Sequence, residues 1–268
     1  MRYAWGRAQR RWGPARARLA ILALAGLAFG TPPSAHGEPY VSVFAGTAFT
    51  GSKTDETRLT LDGTTFLDGS FHDVDLHNSP LVGAKVGYFL TRPVLGGHFG
   101  AELEVHYTQP NASRQTVTFS GTFMGVPSTF ETSIQHVDFE IYAILLSALY
   151  RFPLVVRPEF PYGRLQPYVG VGGGAFIATM RTRTTPLDVN RYIHDTDVAP
   201  GLQVLGGVKL FLMRNLAVFA EYRFAQTSEF TFDFKERGTV SGFPVTETAR
   251  DRADLTQHQA AFGIAVHW

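Results

Sequence analysis

The sequence predicts an all-β fold in which eight antiparallel strands close into a transmembrane β-barrel, and three observations predict it. Apolar and polar residues alternate at period two in eight long runs. The connections between these runs are alternately long and short, as in barrels with long extracellular loops and mostly short periplasmic turns. After residue 37, no apolar stretch reaches the ~18 residues that would indicate a membrane-spanning helix.

The amino-terminal residues are typical of a secretory signal peptide. Residues 1–18 carry six arginines and no acidic residue, the apolar run Leu19–Gly30 follows, and small residues precede the expected cleavage after Gly37. This apolar run is shorter than the ~20 residues that a membrane-spanning helix needs. We therefore assign residues 1–37 to a cleaved signal peptide and residues 38–268 to a single barrel domain.

Charge and cysteine content narrow the function classes. The whole chain has 24 Lys+Arg and 23 Asp+Glu, and the six arginines of the signal peptide leave 18 Lys+Arg against 23 Asp+Glu. The barrel domain is therefore acidic, and its charge gives no reason to expect nucleic-acid binding. The chain contains no cysteine, so no disulfide stabilises it in an oxidising compartment.

Eight alternating runs follow the signal peptide. They are about twice as long as the ~5–6 residues of a strand in a soluble protein. This length suits a tilted strand that crosses a bilayer. The runs are Glu38–Thr50, Ser79–Leu90, His98–Gln109, His136–Phe152, Gln166–Met180, Val198–Leu212, Leu216–Phe232 and Asp254–Trp268.

The connections divide into two classes. Two of the turns predicted at the periplasmic end are short, residues 91–97 and 213–215. The third, residues 153–165, is long, but its three prolines favour an irregular turn over a ninth strand. The long loops contain alternating runs around glycine-containing turns, which predict hairpins at residues 57–76, 114–135 and 231–249. The long loops are residues 51–78, 110–135, 181–197 and 233–253.

Charged residues are expected on the inner face of the barrel, opposite the apolar side chains that face lipid. An eight-stranded barrel is only wide enough for its own side chains, and buried charges are costly unless they are paired. We therefore expect ion pairs to plug the lumen. In the alternative, a narrow pore, Glu104 would change partner between Lys209 and Arg223. The predicted lumen charges are Lys85, Glu102, Glu104, Asp138, Glu140, Lys209, Glu221 and Arg223.

Aromatic residues cluster near the ends of the runs. Aromatic side chains prefer the two membrane–water interfaces, where they form girdles around a barrel. We therefore predict girdle positions for these residues. They are Tyr40, Tyr88, Phe89, Tyr107, Tyr150, Phe152, Phe211, Tyr222, Phe230, Phe232 and Trp268.

Four segments carry a family resemblance: PYVSVFAGTAF (39–49), PYVGVGGGAFIA (167–178), AVFAEYRFA (217–225) and AAFGIAVHW (260–268). They resemble the eight-stranded outer-membrane barrels related to outer membrane protein A and the opacity-type surface proteins. The resemblance implies a multi-pass barrel in the bacterial outer membrane. That family contains adhesins, envelope-stabilising proteins and small pores, so its fold does not specify one activity.

The resemblance also implies an assembly signal in the last strand, which the barrel assembly machinery would recognise. The family more often ends in phenylalanine, and the tryptophan of this chain is likewise an interfacial aromatic. The residues of the expected signal are Phe262, Ile264, Val266 and Trp268.

Few residue patterns indicate chemistry. The glycine-rich stretch Val169–Gly174 lies inside a strand and lacks the Lys-Ser/Thr ending of a phosphate-binding loop. A lipid A-modifying hydrolase would need a paired Ser and His near one membrane interface, for which His77 and Ser79 are the candidates. We predict no catalytic, cofactor or metal site, and keep the hydrolase as the least favoured hypothesis.

The favoured function is a structural or surface-interaction role, adhesion-like, with a small-solute pore as the alternative. Loops 51–78 and 110–135 are expected to meet an extracellular partner, and the barrel surface to contact outer-membrane lipid and lipopolysaccharide. Exposed apolar patches with polar surroundings are typical of interaction sites. The loops supply such groups at Phe66, Phe71, Phe119, Phe123, Phe130 and Phe243.

Overall fold

The computed structural model describes residues 37–51, 53–134, 136–182, 193–240 and 243–268. The predicted signal peptide lies outside these residues except for Gly37, the first residue of β1. The described part of the chain contains no helix long and apolar enough to cross a membrane. Its strands are β1 (Gly37–Thr50), β2 (Lys53–Leu61), β3 (Thr64–Val74), β4 (Ser79–Leu90), β5 (His98–Thr108), β6 (Asn111–Ala112), β7 (Gln115–Phe123), β8 (Val126–Ile134), β9 (Val137–Arg151), β10 (Leu165–Thr182), β11 (Ile193–Phe211), β12 (Leu216–Thr227), β13 (Phe230–Val240), β14 (Phe243–Ala253) and β15 (Thr256–His267).

Eight of these strands close into an antiparallel barrel, which confirms the predicted fold class. The order around the barrel is β1, β4, β5, β9, β10, β11, β12 and β15, and β15 pairs with β1 from Tyr40↔His267 to Thr50↔Gln257. Closure satisfies the backbone of every barrel strand without leaving an edge, which is the condition for a sheet that spans a membrane.

The seventh barrel strand is shorter than predicted. Alternation continues to Phe232 in the sequence, but β12 ends at Thr227 and a separate strand, β13, begins at Phe230. Between them the amide of Ser228 donates to the carbonyl of Pro200 at 2.8 Å, so the chain leaves the barrel at this point. The period-two pattern persists through the break because both strands have one buried face.

Six of the other seven strands form a second sheet at the end of the barrel that carries the long loops, the loop end, and the seventh, β6, pairs with β9. The order of the second sheet is β13-β14-β2-β3-β7-β8. It contains the three predicted hairpins, and Met124 (φ 52°) with Gly125 (φ 78°) makes the two-residue turn between β7 and β8. The amides of Thr231 and Asp233 donate to the Asp197 and Asp195 carboxylates at 2.8 Å, which attaches β13 to β11.

Alternation along each barrel strand produces an apolar outer face. Val43, Leu202 and Phe262 are each more than 60% exposed there. Six of the eleven predicted girdle residues lie at outer-face positions, namely Tyr88, Tyr107, Tyr150, Phe152, Tyr222 and Trp268. The girdle prediction is wrong for five residues that are buried inside the protein because they fall on the opposite parity of their strands: Tyr40, Phe89, Phe211, Phe230 and Phe232.

Two different fillings occupy the interior. At the loop end, buried apolar side chains from barrel strands pack against the phenylalanines of β13. We call this group the apolar plug. Its members are Ile141, Ala143, Leu145, Phe176, Ala178, Met180, Ala199, Ala225, Phe230, Phe232, Phe234 and Leu255. Nearer the end with the short turns, the turn end, buried charged side chains lie among buried aromatic and aliphatic ones such as Tyr40, Phe44 and Phe89.

Glycines on the inner face make room for aromatic rings. A Cβ atom at Gly87 would lie 2.4 Å from Cζ of Tyr40, and one at Gly207 would lie 2.7 Å from Cζ of Tyr168. Each tyrosine ring therefore lies directly over a glycine of a neighbouring strand, an arrangement that also restores packing in glycine-rich sheets. Both hydroxyl groups reach the charged part of the lumen.

Candidate functional site: the charged lumen

Five charged side chains from three barrel strands meet in the middle of the lumen. Lys85 comes from β4, Glu102 and Glu104 from β5, and Glu221 and Arg223 from β12, all at most 5% exposed. We call them the central charge cluster. Residues two apart on a strand face the same side of the sheet, so β5 and β12 each contribute two charges at this spacing.

Lys85 is the hub of the central charge cluster. Its Nζ lies 2.9 Å from both carboxylate oxygens of Glu221, 3.0 Å from Oε1 of Glu102 and 3.4 Å from Oε2 of Glu104. The rings of Phe44 and Phe219 lie 5.5 and 5.6 Å from the ammonium group. The three carboxylates together compensate the cost of taking this ammonium group out of water.

Arg223 joins the carboxylates that Lys85 contacts. Its Nη1 donates to Oε1 of Glu104 at 2.7 Å, and its Nε donates to Glu221. Two buried tyrosines add neutral donors: Tyr40 donates to Glu102 at 2.5 Å, and Tyr168 donates to Glu221 at 2.7 Å. Glu104 also contacts the imidazole of His106 at 2.6 Å.

A second group, the turn-end charge cluster, consists of Glu38, Arg151, Lys209 and His267. Arg151 donates to Glu38, and also to the side-chain oxygen of Gln166 at 3.0 Å. The imidazole of His267 lies 2.5 Å from Glu38 through Nδ1 and 3.1 Å from the ammonium group of Lys209 through Nε2. Because an ammonium group can only donate, Nε2 accepts from Lys209, which leaves Nδ1 facing the Glu38 carboxylate.

The two clusters balance each other in charge. The central charge cluster has three carboxylates and two cations, whereas the turn-end charge cluster has one carboxylate and two cations. A cavity of about 10 Å³ lies between them, lined by Ser42, Lys85, Glu102 and Lys209 among others. This volume suits one water molecule. The clusters and the apolar plug therefore fill the lumen along its length.

Six of the eight predicted lumen charges lie on the inner face, and two do not. Asp138 lies on the outer face of β9, where its carboxylate contacts His136 at 2.9 Å. Glu140 lies on the same face and contacts Arg181 at 2.9 Å. The prediction is wrong for both because β9 is apolar on both faces over much of its length, so alternation alone does not set its phase.

Sequence reasoning missed Arg151 and Glu38, and the tyrosines that donate to the central charge cluster. Arg151 and Ser147 share the inner parity of β9, opposite to that of Asp138 and Glu140. Because both residues are polar and share this parity, the sequence could have indicated that this face of β9 is the inner one. Of the two cations between which Glu104 would change partner in the pore alternative, Arg223 contacts it, while Lys209 contacts His267.

The candidate pair of the least favoured hypothesis, His77 and Ser79, is not formed. Ser79 is buried, whereas His77 is exposed and its Nε2 lies 2.8 Å from Oγ of Ser113. Among the described residues no group of three or more His, Cys, Asp or Glu side chains is arranged to hold a metal ion.

The last strand presents the residues of the expected assembly signal on the outer face. Phe262, Ile264 and Val266 are between 40% and 68% exposed, and Trp268 is 48% exposed. The amide of Trp268 donates to the carbonyl of Pro39 at 3.2 Å. This row of exposed side chains therefore continues to the edge of the barrel at the turn end.

The comparison with protein families agrees with this architecture. The profile of a family described as the outer membrane protein beta-barrel domain matches residues 20–267. No curated protein sequence matches the chain. Neisserial surface protein A is 16% identical, with 85% of this chain and 96% of that chain covered and a TM-score of 0.38. OprG of Pseudomonas aeruginosa is 12% identical (85% and 95% covered, TM-score 0.44), and the outer membrane protease OmpT of Escherichia coli is 7% identical (86% and 97% covered, TM-score 0.43).

Proposed function

Since the chain belongs to the outer membrane protein β-barrel domain family and lies in the outer membrane of a Gram-negative envelope, we propose that it is a surface-interaction protein with a closed lumen. The observation that carries the proposal is the six-stranded sheet at the loop end, which extends the barrel beyond the membrane. A protein that served only to span the membrane would not need this sheet.

The hairpin of β7 and β8 is the favoured contact surface. Met124 and Val126 at its tip are 65% and 62% exposed, and Phe130 on β8 is 38% exposed. The strands around them are rich in Thr and Ser, so apolar groups stand among polar ones, as is typical of interaction sites. This hairpin belongs to loop 110–135, one of the two loops expected to meet a partner. The other, loop 51–78, supports it through β3, which pairs with β7.

The adhesion test compares the purified protein in lipid vesicles with a variant carrying Met124→Ser and Val126→Thr. We expect at least a fivefold loss of vesicle adhesion to a cultured epithelial monolayer. Leu95→Ser is the matched control, because Leu95 is 92% exposed but lies in a turn at the other end of the barrel. Equal losses in both variants, or none in either, contradict the proposal.

A closed lumen also excludes a stable pore. Ion pairs and the apolar plug occupy the lumen, and the cavity between the two charge clusters has room for about one water, so we expect no defined conductance steps in planar bilayers. Steady channels that disappear in Lys85→Met would instead support the pore hypothesis.

The contact between His77 and Ser113 favours one second candidate, a lipid-modifying hydrolase. Its serine would be Ser113 rather than the predicted Ser79, with His77 as the general base. Among the described residues no carboxylate contacts the His77 imidazole, so the orienting acid of such a site is missing. Fatty-acid release from lipopolysaccharide that is lost in Ser113→Ala would establish this activity, and we expect no release.

Two further partners belong to the proposal. The outer apolar face contacts outer-membrane lipid and lipopolysaccharide, and the exposed row ending at Trp268 is recognised by the barrel assembly machinery. We expect Trp268→Ser to reduce the amount of folded protein in the outer membrane severalfold, and Leu95→Ser to leave it unchanged. Folded protein is measured by the gel shift between unheated and boiled samples.

A further inference from the structure

The rim of the barrel at the periplasmic end is basic. Three connections form it, residues 91–97, 152–164 and 212–215. Four arginines are exposed on these connections, against one exposed carboxylate, that of Glu159. The arginines are Arg92, Arg157, Arg164 and Arg214.

These arginines have no carboxylate partners in the described part of the chain. The ion pairs found there lie in the lumen and on the extracellular side, and none includes a rim arginine. The extracellular loop 51–78, by contrast, carries two basic and six acidic residues. The chain therefore presents positive charge to the periplasmic leaflet of the membrane.

Exposed apolar side chains stand beside the arginines. Leu95 is 92% exposed, Val155 and Val156 are 52% and 59% exposed, and Met213 is 62% exposed. Val155 has φ of 56°, a conformation that a β-branched residue rarely adopts. The rim thus combines guanidinium groups with apolar side chains at the end of the barrel that faces the periplasm.

The connections are held in place around Arg164. Its amide donates to the carbonyl of Val155 at 3.2 Å, and its carbonyl accepts from the amide of Phe211 at 2.9 Å. The guanidinium group lies 5.7 Å from the ring of Phe160. Because Phe211 ends β11, these contacts place Arg164 beside the turn that carries Arg214.

We propose that this rim binds anionic phospholipid of the periplasmic leaflet, with Arg164 and Arg214 on the headgroup phosphate and Met213 and Val155 against the acyl chains. Guanidinium groups bind phosphate through paired N–H donors. Basic side chains at a membrane surface favour anionic over zwitterionic lipid. A phospholipid of this leaflet has both an anionic headgroup and apolar acyl chains, which match the arginines and the apolar side chains of the rim.

The chain provides its own reporter for this site. Trp5, Trp12 and Trp268 are its three tryptophans, and the first two lie in the predicted signal peptide. The amide of His267 donates to the carbonyl of Asn215 at 2.8 Å, which places Trp268 beside the turn of Arg214. A full-length chain with Trp5→Phe and Trp12→Phe therefore has a single tryptophan, at the rim.

The experiment measures quenching of Trp268 by brominated lipids in phosphatidylcholine vesicles. We expect brominated phosphatidylglycerol to accumulate at Trp268 about fivefold over brominated phosphatidylcholine, and the preference to weaken in high salt. The double variant Arg164→Gln with Arg214→Gln should bring the ratio close to one. Arg58→Gln is the matched control, because it removes an exposed arginine from the extracellular sheet.

Equal quenching by the two lipids in the unsubstituted chain would overturn the proposal. So would a preference that survives in the double variant, since the arginines would then not be its cause. The gel shift between unheated and boiled samples verifies that every variant is folded. None of these outcomes depends on the adhesion proposed above.

Discussion

The periplasmic and extracellular halves of the lumen differ in the contacts that fill them. The periplasmic half contains the central and turn-end charge clusters, in which every strand supplies specific ionic or hydrogen-bonding groups. The extracellular half contains the apolar plug, to which β13 contributes three phenylalanines. A charged filling requires each partner, because a buried charge left alone is costly. An apolar filling requires only volume and shape, so it can be supplied by a loop strand.

The largest effect is expected from breaking the charged filling at Arg223. Arg223→Met leaves the three carboxylates of the central charge cluster with Lys85 alone, which should cost about 4 kcal/mol of unfolding free energy. Urea titration in lipid vesicles, followed by the gel shift, measures it. Arg223→Lys should recover part of the loss, because it keeps the charge but not the two-pronged geometry. A loss below about 1 kcal/mol in Arg223→Met would show that Lys85 alone compensates the carboxylates.

A somewhat smaller effect is expected from emptying the apolar plug. Phe232 is 1% exposed, and Phe232→Ala should cost about 3 kcal/mol through the cavity that it leaves. Hydrogen exchange should accelerate in β13 while the periplasmic half of the barrel stays protected. Phe232→Leu is the control, with a cost of about 1 kcal/mol. Uniform acceleration along the whole barrel would mean that the two fillings are not independent.

A pH effect is expected in the extracellular sheet, which covers the plug. Burial raises the pKa of Asp251 to about 6, although a hydrogen bond from Thr57 opposes the shift. Burial, Asp251 and Glu56 raise the pKa of Asp55 on the adjacent strand β2. A carboxyl group with a raised pKa in the folded state favours folding when it is protonated. The pairing of β2 with β14 should therefore strengthen as the pH falls from about 6 towards the ordinary carboxyl pKa of about 4.

Asp251→Asn tests this effect, because the amide is neutral at every pH. Protection of β2 and β14 amides against hydrogen exchange should be higher than in the unsubstituted chain at pH 7.5, by about 2 kcal/mol, and the pH dependence that remains should be that of Asp55. Asp68→Asn is the control on the same sheet, because Asp68 is exposed and paired with Arg58. An unchanged pH dependence in Asp251→Asn would assign the effect to another group.

The smallest effect is expected at Lys209. It is buried over the ring of Tyr40 at 4.1 Å and contacts His267 rather than a carboxylate. Lys209→Met keeps the packing volume and removes a desolvated charge, so the unfolding free energy should change by less than about 1 kcal/mol. The same urea titration measures it. A loss as large as that of Arg223→Met would show that Lys209 balances the central charge cluster across the cavity.

Strand positions and faces were mostly predictable where one face is polar and the other apolar. In β5, Glu102, Glu104 and His106 share one parity, so alternation predicts their inward orientation. In β9 the apolar residues occupy both parities, and the prediction placed Asp138 and Glu140 on the wrong face. The break between β12 and β13 could not be predicted from the alternation either, because the alternation continues from one buried environment into another.

By itself, the sequence determined the barrel of eight strands, its two ends and most of the residues that face lipid. These features depend on local periodicity and on connection lengths, which a single chain displays directly. The tertiary structure alone decided which carboxylate meets which cation, since Glu104 and Arg223 are brought together by register across the closed barrel. It also decided that β13 turns back over the barrel, because the buried face of a loop strand finds its partner only once the barrel exists.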